Sequence, residues 1–318
     1  MDSVLSNIEL DLLKKFDKPG PRYTSYPTAP MFSPEYTGKQ FEIDLIRNND
    51  ENRDPLSLYV HIPFCDTLCY FCGCTTVITS RRDRISKYLS MLKQEIDRTS
   101  FYVNRARPVT QIHWGGGTPS YLNPEEILDL AGFIAQRFTV APNVEFSLEI
   151  DPRGLTYDHM CAFGRIGVNR ISLGVQDFDP RVQAAVNRVQ PEEVTLRAIQ
   201  WARTLGIRSI NVDLIYGLPL QNVESFQYTL EKIIAVSPER IAAFNFAYVP
   251  RIKPHQKLIH PEDLPSPEVK LQLLKATIES LTQAGYNYIG MDHFAKPDDE
   301  LSVAQKSKAL HRNFQGYS

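Results

Sequence analysis

From residue 57 onward the chain repeats one pattern: an apolar, β-rich run, a turn, then a stretch of helical period. Candidate strands fall at 57–62, 110–115, 145–150, 170–175, 209–216 and 241–248, with a possible seventh at 286–291. Helices fit between them, for example at 84–98, 124–137, 191–205, 222–236 and 268–284. Asn123-Pro124-Glu125-Glu126 and Gln190-Pro191-Glu192-Glu193 put proline and acids in a first helical turn, where N–H groups lack partners. Leu205-Gly206 and Ala284-Gly285 read as helix stops just ahead of strands.

Six or more consecutive strand–helix units imply an α/β fold, a parallel sheet covered by helices. The unusual residues follow the strands rather than precede them. They are a cysteine loop, Gly115-Gly116-Gly117-Thr118-Pro119, Glu149-Ile150-Asp151-Pro152-Arg153, Gly174-Val175-Gln176-Asp177, Asp213 with Gly217-Leu218-Pro219, and Ala247-Tyr248-Val249-Pro250. A TIM-type barrel, or part of one, collects its site on that face. A doubly wound open sheet also binds ligands at strand C-termini, but typically at one switch point. Six decorated strand ends favour the barrel.

The cysteine loop narrows the chemistry. Four of the 5 cysteines lie between Cys65 and Cys74, directly after the run Ser57-Leu58-Tyr59-Val60-His61-Ile62 and its stop at Pro63. Nothing else suggests secretion, so a disulfide knot is disfavoured. Structural zinc usually takes paired Cys-x-x-Cys knuckles across a longer spacer. Here the spacing is Cys65-x3-Cys69-x2-Cys72, with no second pair downstream. Three such thiolates suit three irons of a [4Fe–4S] cluster and leave the fourth iron open to a ligand; a zinc-stabilised barrel is the competing reading.

Ahead of the barrel, residues 18–36 are too proline-rich for a helix or central strand and read as an extended arm. It is either a plain linker or, given Arg22, Tyr23 and Tyr26, an arm facing a ligand. Residues 46–55 read as a charged spacer. The first fifteen residues have no basic start, long apolar segment or small-residue cleavage site, so they are no signal peptide. No run approaches a membrane span. A net charge of −2 gives no field that would draw nucleic acid or a membrane, so an anionic ligand must be met by local arginines and lysines. The compartment expected is the cytoplasm.

Each remaining polar residue has a plain structural reading beside the functional one. Three glycines let backbone amides approach a ligand or simply make a tight turn. Glu149 either pairs with Arg153 or Arg170, or accepts hydrogen bonds from a ligand. Gln176, Arg188 and Asp213 pose the same choice, and together at strand ends they favour a polar ligand. His61, His113 and His293 read as core or rim histidines, and Cys161 as an ordinary buried thiol.

Cys65-x3-Cys69-x-Phe71-Cys72, with its aromatic before the third cysteine, resembles the signature loop of radical S-adenosylmethionine (SAM) enzymes. In that superfamily the amino and carboxylate groups of SAM chelate the fourth iron. Gly115-Gly116-Gly117 resembles its glycine-rich motif. Further motifs run in order: Gly20 to Ala29, Cys74, His113-Trp114-Gly115-Gly116-Gly117-Thr118-Pro119, Glu149 to Arg153, Gly174 to Phe178, Asp213 to Pro219, and Gly290-Met291-Asp292-His293-Phe294. This set, over nearly all 318 residues, resembles the oxygen-independent coproporphyrinogen III oxidase (dehydrogenase) family of heme biosynthesis.

The resemblance implies that Cys65, Cys69 and Cys72 ligate the cluster while Cys74 lies near it without ligating. Two SAM molecules are implied: Tyr59, Gly116 and Glu149 match contacts to the cluster-bound one. Phe71, Gly117, Thr118, Gln176, Arg188, Asp213 and Ala247 match contacts to the second. The substrate implied is coproporphyrinogen III, with the arm and Arg22 nearby and Arg251, Lys253 and Arg312 as candidate propionate partners. The electron donor implied is a protein such as a flavodoxin or ferredoxin. The reaction implied is loss of a β-hydrogen, CO2 and an electron from each of two propionates, giving vinyls. A heme-binding chaperone on the same scaffold is the rival, which usually lacks both the arm and a residue like Cys74.

The resulting plan is an N-terminal helix and arm over 1–55, a partial (β/α)6 barrel over 56–300, and over 301–318 the start of a C-terminal region. Family members continue into a helical domain past Leu310-His311-Arg312-Asn313-Phe314-Gln315-Gly316-Tyr317, inside which this sequence ends. The chain is expected to be a monomer.

Overall fold

A computed structural model describes Lys15 and residues 31–51, 54–313 and 316–317. The arm at 20–29 with Arg22, and the Arg312 side chain, lie outside the described residues. Six parallel strands stand in chain order: β1 (Leu56–Ile62), β2 (Val109–Gly116), β3 (Val140–Ile150), β4 (Arg170–Gln176), β5 (Ser209–Tyr216) and β6 (Arg240–Asn245). An antiparallel hairpin, β7 (Asn287–Gly290) and β8 (His293–Ala295), extends the sheet with β8 against β6. Among the described residues no ladder joins β1 to β7, so the barrel is open along that seam.

The helices outside the sheet are α1 (Gly38–Glu51), α2 (Arg82–Tyr102), α3 (Pro124–Arg137), α4 (Tyr157–Arg165), α5 (Pro180–Ala185), α6 (Glu192–Thr204), α7 (Val223–Val236), α8 (Pro267–Gln283) and α9 (Glu300–Lys306). The seventh strand is shorter than its apolar run because Gly290 and Met291, both at positive φ, turn the chain back into β8. Strand β6 stops at Asn245, before the Ala247-Tyr248 end expected of it. The charged segment at 46–55 is helical through Glu51 rather than a spacer. Its polar residues bind the chain ahead of β2: Arg107 donates to Asn48 (2.7 Å) and to the Asp54 carbonyl (2.9 Å). A charged run that finds fixed partners can keep a regular backbone.

Period-two alternation decides which side chains meet the interior. Along β4, Ile171, Leu173 and Val175 are buried toward the helices, while Arg170, Ser172, Gly174 and Gln176 face the other way. The same split puts Phe146, Leu148 and Ile150 of β3 outward and Glu145, Ser147 and Glu149 inward. The outward residues join Trp114, Phe163 and Phe226 in one continuous core between sheet and helices. The inward residues are mostly polar, and instead of filling the barrel they line a cavity of about 470 Å³.

The end of the cavity at the strand N-termini is closed by ion pairs. Arg170 binds Glu145 of β3 and Glu300 of α9. Arg240 binds Asp299, which also caps α9 through the Leu301 amide (2.8 Å). Leu301 lines the cavity wall just inside.

Candidate active site: a thiol loop over a polar barrel mouth

The chain after β1 carries Cys65, Cys69, Cys72 and Cys74, all of them free thiols. Phe64 and Cys65 pair in parallel with Val77 and Ile78, which folds the loop back on itself. Side chains from the segment after β6 clasp its backbone. Gln256 donates to the Phe71 carbonyl (3.3 Å), His255 Nε2 lies 2.8 Å from the Cys72 carbonyl, and Lys253 donates to that of Cys74 (3.1 Å). Lys253, a candidate propionate partner, is thus engaged with the loop itself.

The three spaced thiols line the cavity, each beside a different donor. Cys65 lies 3.5 Å from the Thr118 hydroxyl. Burial nevertheless pushes its thiol up to about 11. The Cys72 thiol is held below its ordinary range by the neighbouring Cys74 thiol, which is itself held above. Cys69 is buried, with Arg153 Nη2 and Arg188 Nη1 each 3.6 Å from its sulfur.

The glycines after β2 are required by packing. A Cβ on Gly117 would meet the Pro63 carbonyl at 2.5 Å, and one on Gly116, where φ is +118°, would meet the His61 ring at 2.6 Å. The glycine turn therefore packs closely against the start of the thiol loop while still lining the cavity. Gly117 also donates to the Ile62 carbonyl (2.8 Å) and Gly116 to Glu149 (3.1 Å). Glu149 takes neither expected arginine: its other neighbour is His113 Nε2 at 3.6 Å, while Arg153 pairs with Asp151 and Arg170 with Glu145 and Glu300.

Farther round the mouth, Gln176 ends β4 in the left-handed region (φ 71°) at a register shift, a strained position for a residue with a Cβ. Gly174 is small enough to admit both Gln176 and Arg188, whose nitrogens lie 2.9 and 3.1 Å from where its Cβ would be. Arg188 is 6% exposed; it holds the Gly174 carbonyl (2.6 Å) and Asp151 (3.1 Å), and its Nε is buried with no hydrogen-bond partner. Asp213 accepts from Ser172 (2.8 Å) and Asn211 (2.7 Å), and burial pushes it up to about 6, helped by the charge of Glu149.

The cavity thus gathers Cys65, Cys69, Cys72 and Phe71 with Gly116, Gly117 and Thr118, and across from them Glu149, Gln176, Arg188 and Asp213. Two expected site residues stand outside its wall. Tyr59 stacks on His113 (5.9 Å between centroids) and shares a 2.9 Å hydrogen bond with His61. Burial, then Glu149, raises its phenol to about 12. Ala247 gives its carbonyl to Gln256 (3.1 Å). Asp151, His255 and Gln256 were not singled out from sequence, although Asp151 stands in the quoted Glu149–Arg153 motif.

The donor set suits a group larger than one ion. Among the described residues no three His, Cys, Asp or Glu side chains converge on a single-ion position, while four free thiols, Cys65, Cys69, Cys72 and Cys74, open onto one cavity. The orphan Arg188 Nε and the elevated Asp213 leave polar capacity for a second, organic group.

A thiol loop and glycine turn at one end of a six-strand parallel barrel define the radical SAM class. Residues 59–233 match the family model described as the Radical SAM superfamily. The oxygen-independent coproporphyrinogen III oxidase of Synechocystis sp. is 48% identical over 308 residues, covering 97% of this chain and 66% of the relative. That of Escherichia coli is 48% identical over 311 residues, covering 98% and 67%. A solved structure of coproporphyrinogen III oxidase from Escherichia coli, described as a radical SAM enzyme, superposes with a TM-score of 0.91 at 46% identity. That superposition covers 98% of this chain and 69% of the solved one. The chain belongs to the oxygen-independent coproporphyrinogen III oxidase family of the radical SAM superfamily. It spans about two thirds of the length of these relatives. Membership implies a [4Fe–4S] cluster and SAM. No helix among the described residues is long and apolar enough to cross a membrane.

Proposed function

We propose that this chain serves the oxidative decarboxylation of two propionates of coproporphyrinogen III to vinyls, giving protoporphyrinogen IX for heme biosynthesis. The observation that carries the reading is the meeting of Cys65, Cys69 and Cys72 with Glu149, Arg188 and Asp213 on one cavity. In this reading the three cysteines hold the cluster and Cys74 stays a neighbour. Once loaded, the cluster and SAM supply one-electron cleavage of the sulfonium and hydrogen abstraction.

The chain's own residues bind, orient and exclude water. Glu149, with Tyr59 and Gly116 beside it, stands where an amino group of the cluster-bound SAM would be accepted. A second SAM would lie against Phe71, Gly117, Thr118 and Gln176. There the unpartnered Arg188 Nε would meet a carboxylate and Asp213 a hydroxyl or amine, with Ala247, just outside the cavity wall, as a further expected contact. Ion pairs and α9 keep water from entering at the strand N-termini.

The domain plan follows: helix and arm over 1–55, barrel over 56–300, and a further region from 301, with α9 straddling that line. A cytoplasmic monomer drawing electrons from a flavodoxin or ferredoxin completes the reading, with neither nucleic acid nor membrane as partner. The test is anaerobic reconstitution, reduction, and addition of SAM and coproporphyrinogen III to this chain and to one extended to the relatives' full length. Protoporphyrinogen with 5′-deoxyadenosine from the longer chain is expected. 5′-Deoxyadenosine without protoporphyrinogen from either would point to another substrate.

A further inference from the structure

The three cluster-facing thiols are not equivalent. Cys65 has a hydroxyl beside it, whereas Cys69 has two guanidinium groups, each 3.6 Å from its sulfur. Both guanidiniums are held by one carboxylate. Arg153 grips Asp151 through Nε (3.0 and 3.1 Å) and Nη2 (2.6 Å), and Arg188 reaches it through Nη1 (3.1 Å). Burial alone would raise Asp151, but Arg188 and Arg153 more than offset it and hold the carboxyl below its usual range. Two guanidinium groups thus share one carboxylate while packed against a sulfur that is itself buried.

We propose that Arg153 is a positioning residue that acts through Cys69 to set the reduction potential of the cluster. Arg188 also serves the Gly174 carbonyl and the open cavity. The side-chain hydrogen bonds of Arg153, by contrast, go to Asp151 and Cys69. An N–H···S bond from a cation withdraws charge from a coordinating sulfur and favours the form that carries the extra electron. Asp151 fixes the guanidinium plane so that one N–H remains aimed at sulfur, and its own negative charge keeps the effect moderate.

The inference rests on the cluster assignment above, and its test separates the two. The parent chain, Arg153→Met and Arg153→Lys are reconstituted anaerobically with iron and sulfide. The midpoint potential is followed through the paramagnetic reduced state, and exchangeable-proton couplings to the cluster are compared in H2O and D2O. The expected result is a more negative midpoint in Arg153→Met with loss of one exchangeable coupling, and a smaller shift of the same sign in Arg153→Lys. Equal midpoints in parent and variants, each loaded with iron, would overturn the inference alone. No cluster in the parent would overturn the assignment as well. If Arg153→Met does not fold, the sign of the Arg153→Lys shift decides.

Discussion

Asp213 carries a carboxyl where burial opposes charge. Its folded value of about 6 lies above the ordinary carboxylate value near 3.9. The folded state therefore holds the proton more tightly than the unfolded chain. Its stabilising contribution is complete below about pH 4 and is lost as pH rises through about 6. Asp213→Asn keeps the contacts to Asn211 and Ser172, since the hydroxyl can turn to accept. Urea unfolding should show Asp213→Asn matching the parent near pH 4 and more stable near pH 7, by about 2–3 kcal/mol. A parent whose stability does not fall over that interval relative to the variant would contradict the burial argument. Asp177, buried beneath Thr229 and Gln221 and also raised to about 6, adds a slope of the same sign.

At this scale sequence was informative about identity and poor about pairing. The cysteines, Glu149, Arg188 and Asp213 stood out by type and position at strand ends. For Glu149, beside the reading as a ligand contact, Arg153 and Arg170 are the plausible partners, because charge complementarity is all a sequence offers for pairing. The fold gives Arg153 to Asp151, two residues away, and sets His113 opposite Ser147 one strand from Glu149. Lys253, His255 and Gln256 close over the thiol loop from the far end of the barrel. Nothing local marks a contact of that range.

Elements are where sequence was most legible. Helix α3 begins at the proline and acids expected of a first turn, and the structure adds a capping box between Asn123 and Glu126, with both reciprocal bonds formed (2.8 and 2.9 Å). Asn123→Ala should cost about 1 kcal/mol in thermal or chemical unfolding. An unchanged midpoint would show that tertiary packing alone fixes that helix. The short α5 and α9 are not legible in the sequence, because six or seven residues give too little periodicity to separate helix from turn. Helix α9 is held by its partners instead. Asp299 pairs with the partly buried Arg240 while capping the helix, so Asp299→Ala should cost about 3 kcal/mol. A loss of only a few tenths would mean that the pair is solvated. The glycine turn makes a third element-scale prediction. Gly117→Ala forces a Cβ onto the Pro63 carbonyl and should destabilise by at least about 2 kcal/mol. Cluster retention should fall with it, since Pro63 begins the thiol loop. Full stability with lost retention would instead mark the glycine as a ligand contact.

Across the molecule, one alternation separates two jobs. Outward residues of β1–β6 make the core against the helices, and inward residues leave a polar chamber rather than a packed barrel centre. The parallel (β/α)6 order followed from counting strand–helix units, while the antiparallel β7–β8 hairpin did not, because three- and four-residue strands carry almost no pattern. The chamber opens at the strand C-termini under the thiol loop and is closed at the other end by Arg170, Arg240 and α9. The central claim is that this chamber, through Cys65, Cys69 and Cys72, holds a cluster that cleaves SAM. The most direct measurement is formation of 5′-deoxyadenosine by the reconstituted, reduced chain beside its Cys69→Ser variant. The account predicts iron, sulfide and 5′-deoxyadenosine from the parent and none of the three from Cys69→Ser. Cleavage retained in Cys69→Ser, or a parent that takes up zinc and forms no 5′-deoxyadenosine, would contradict it.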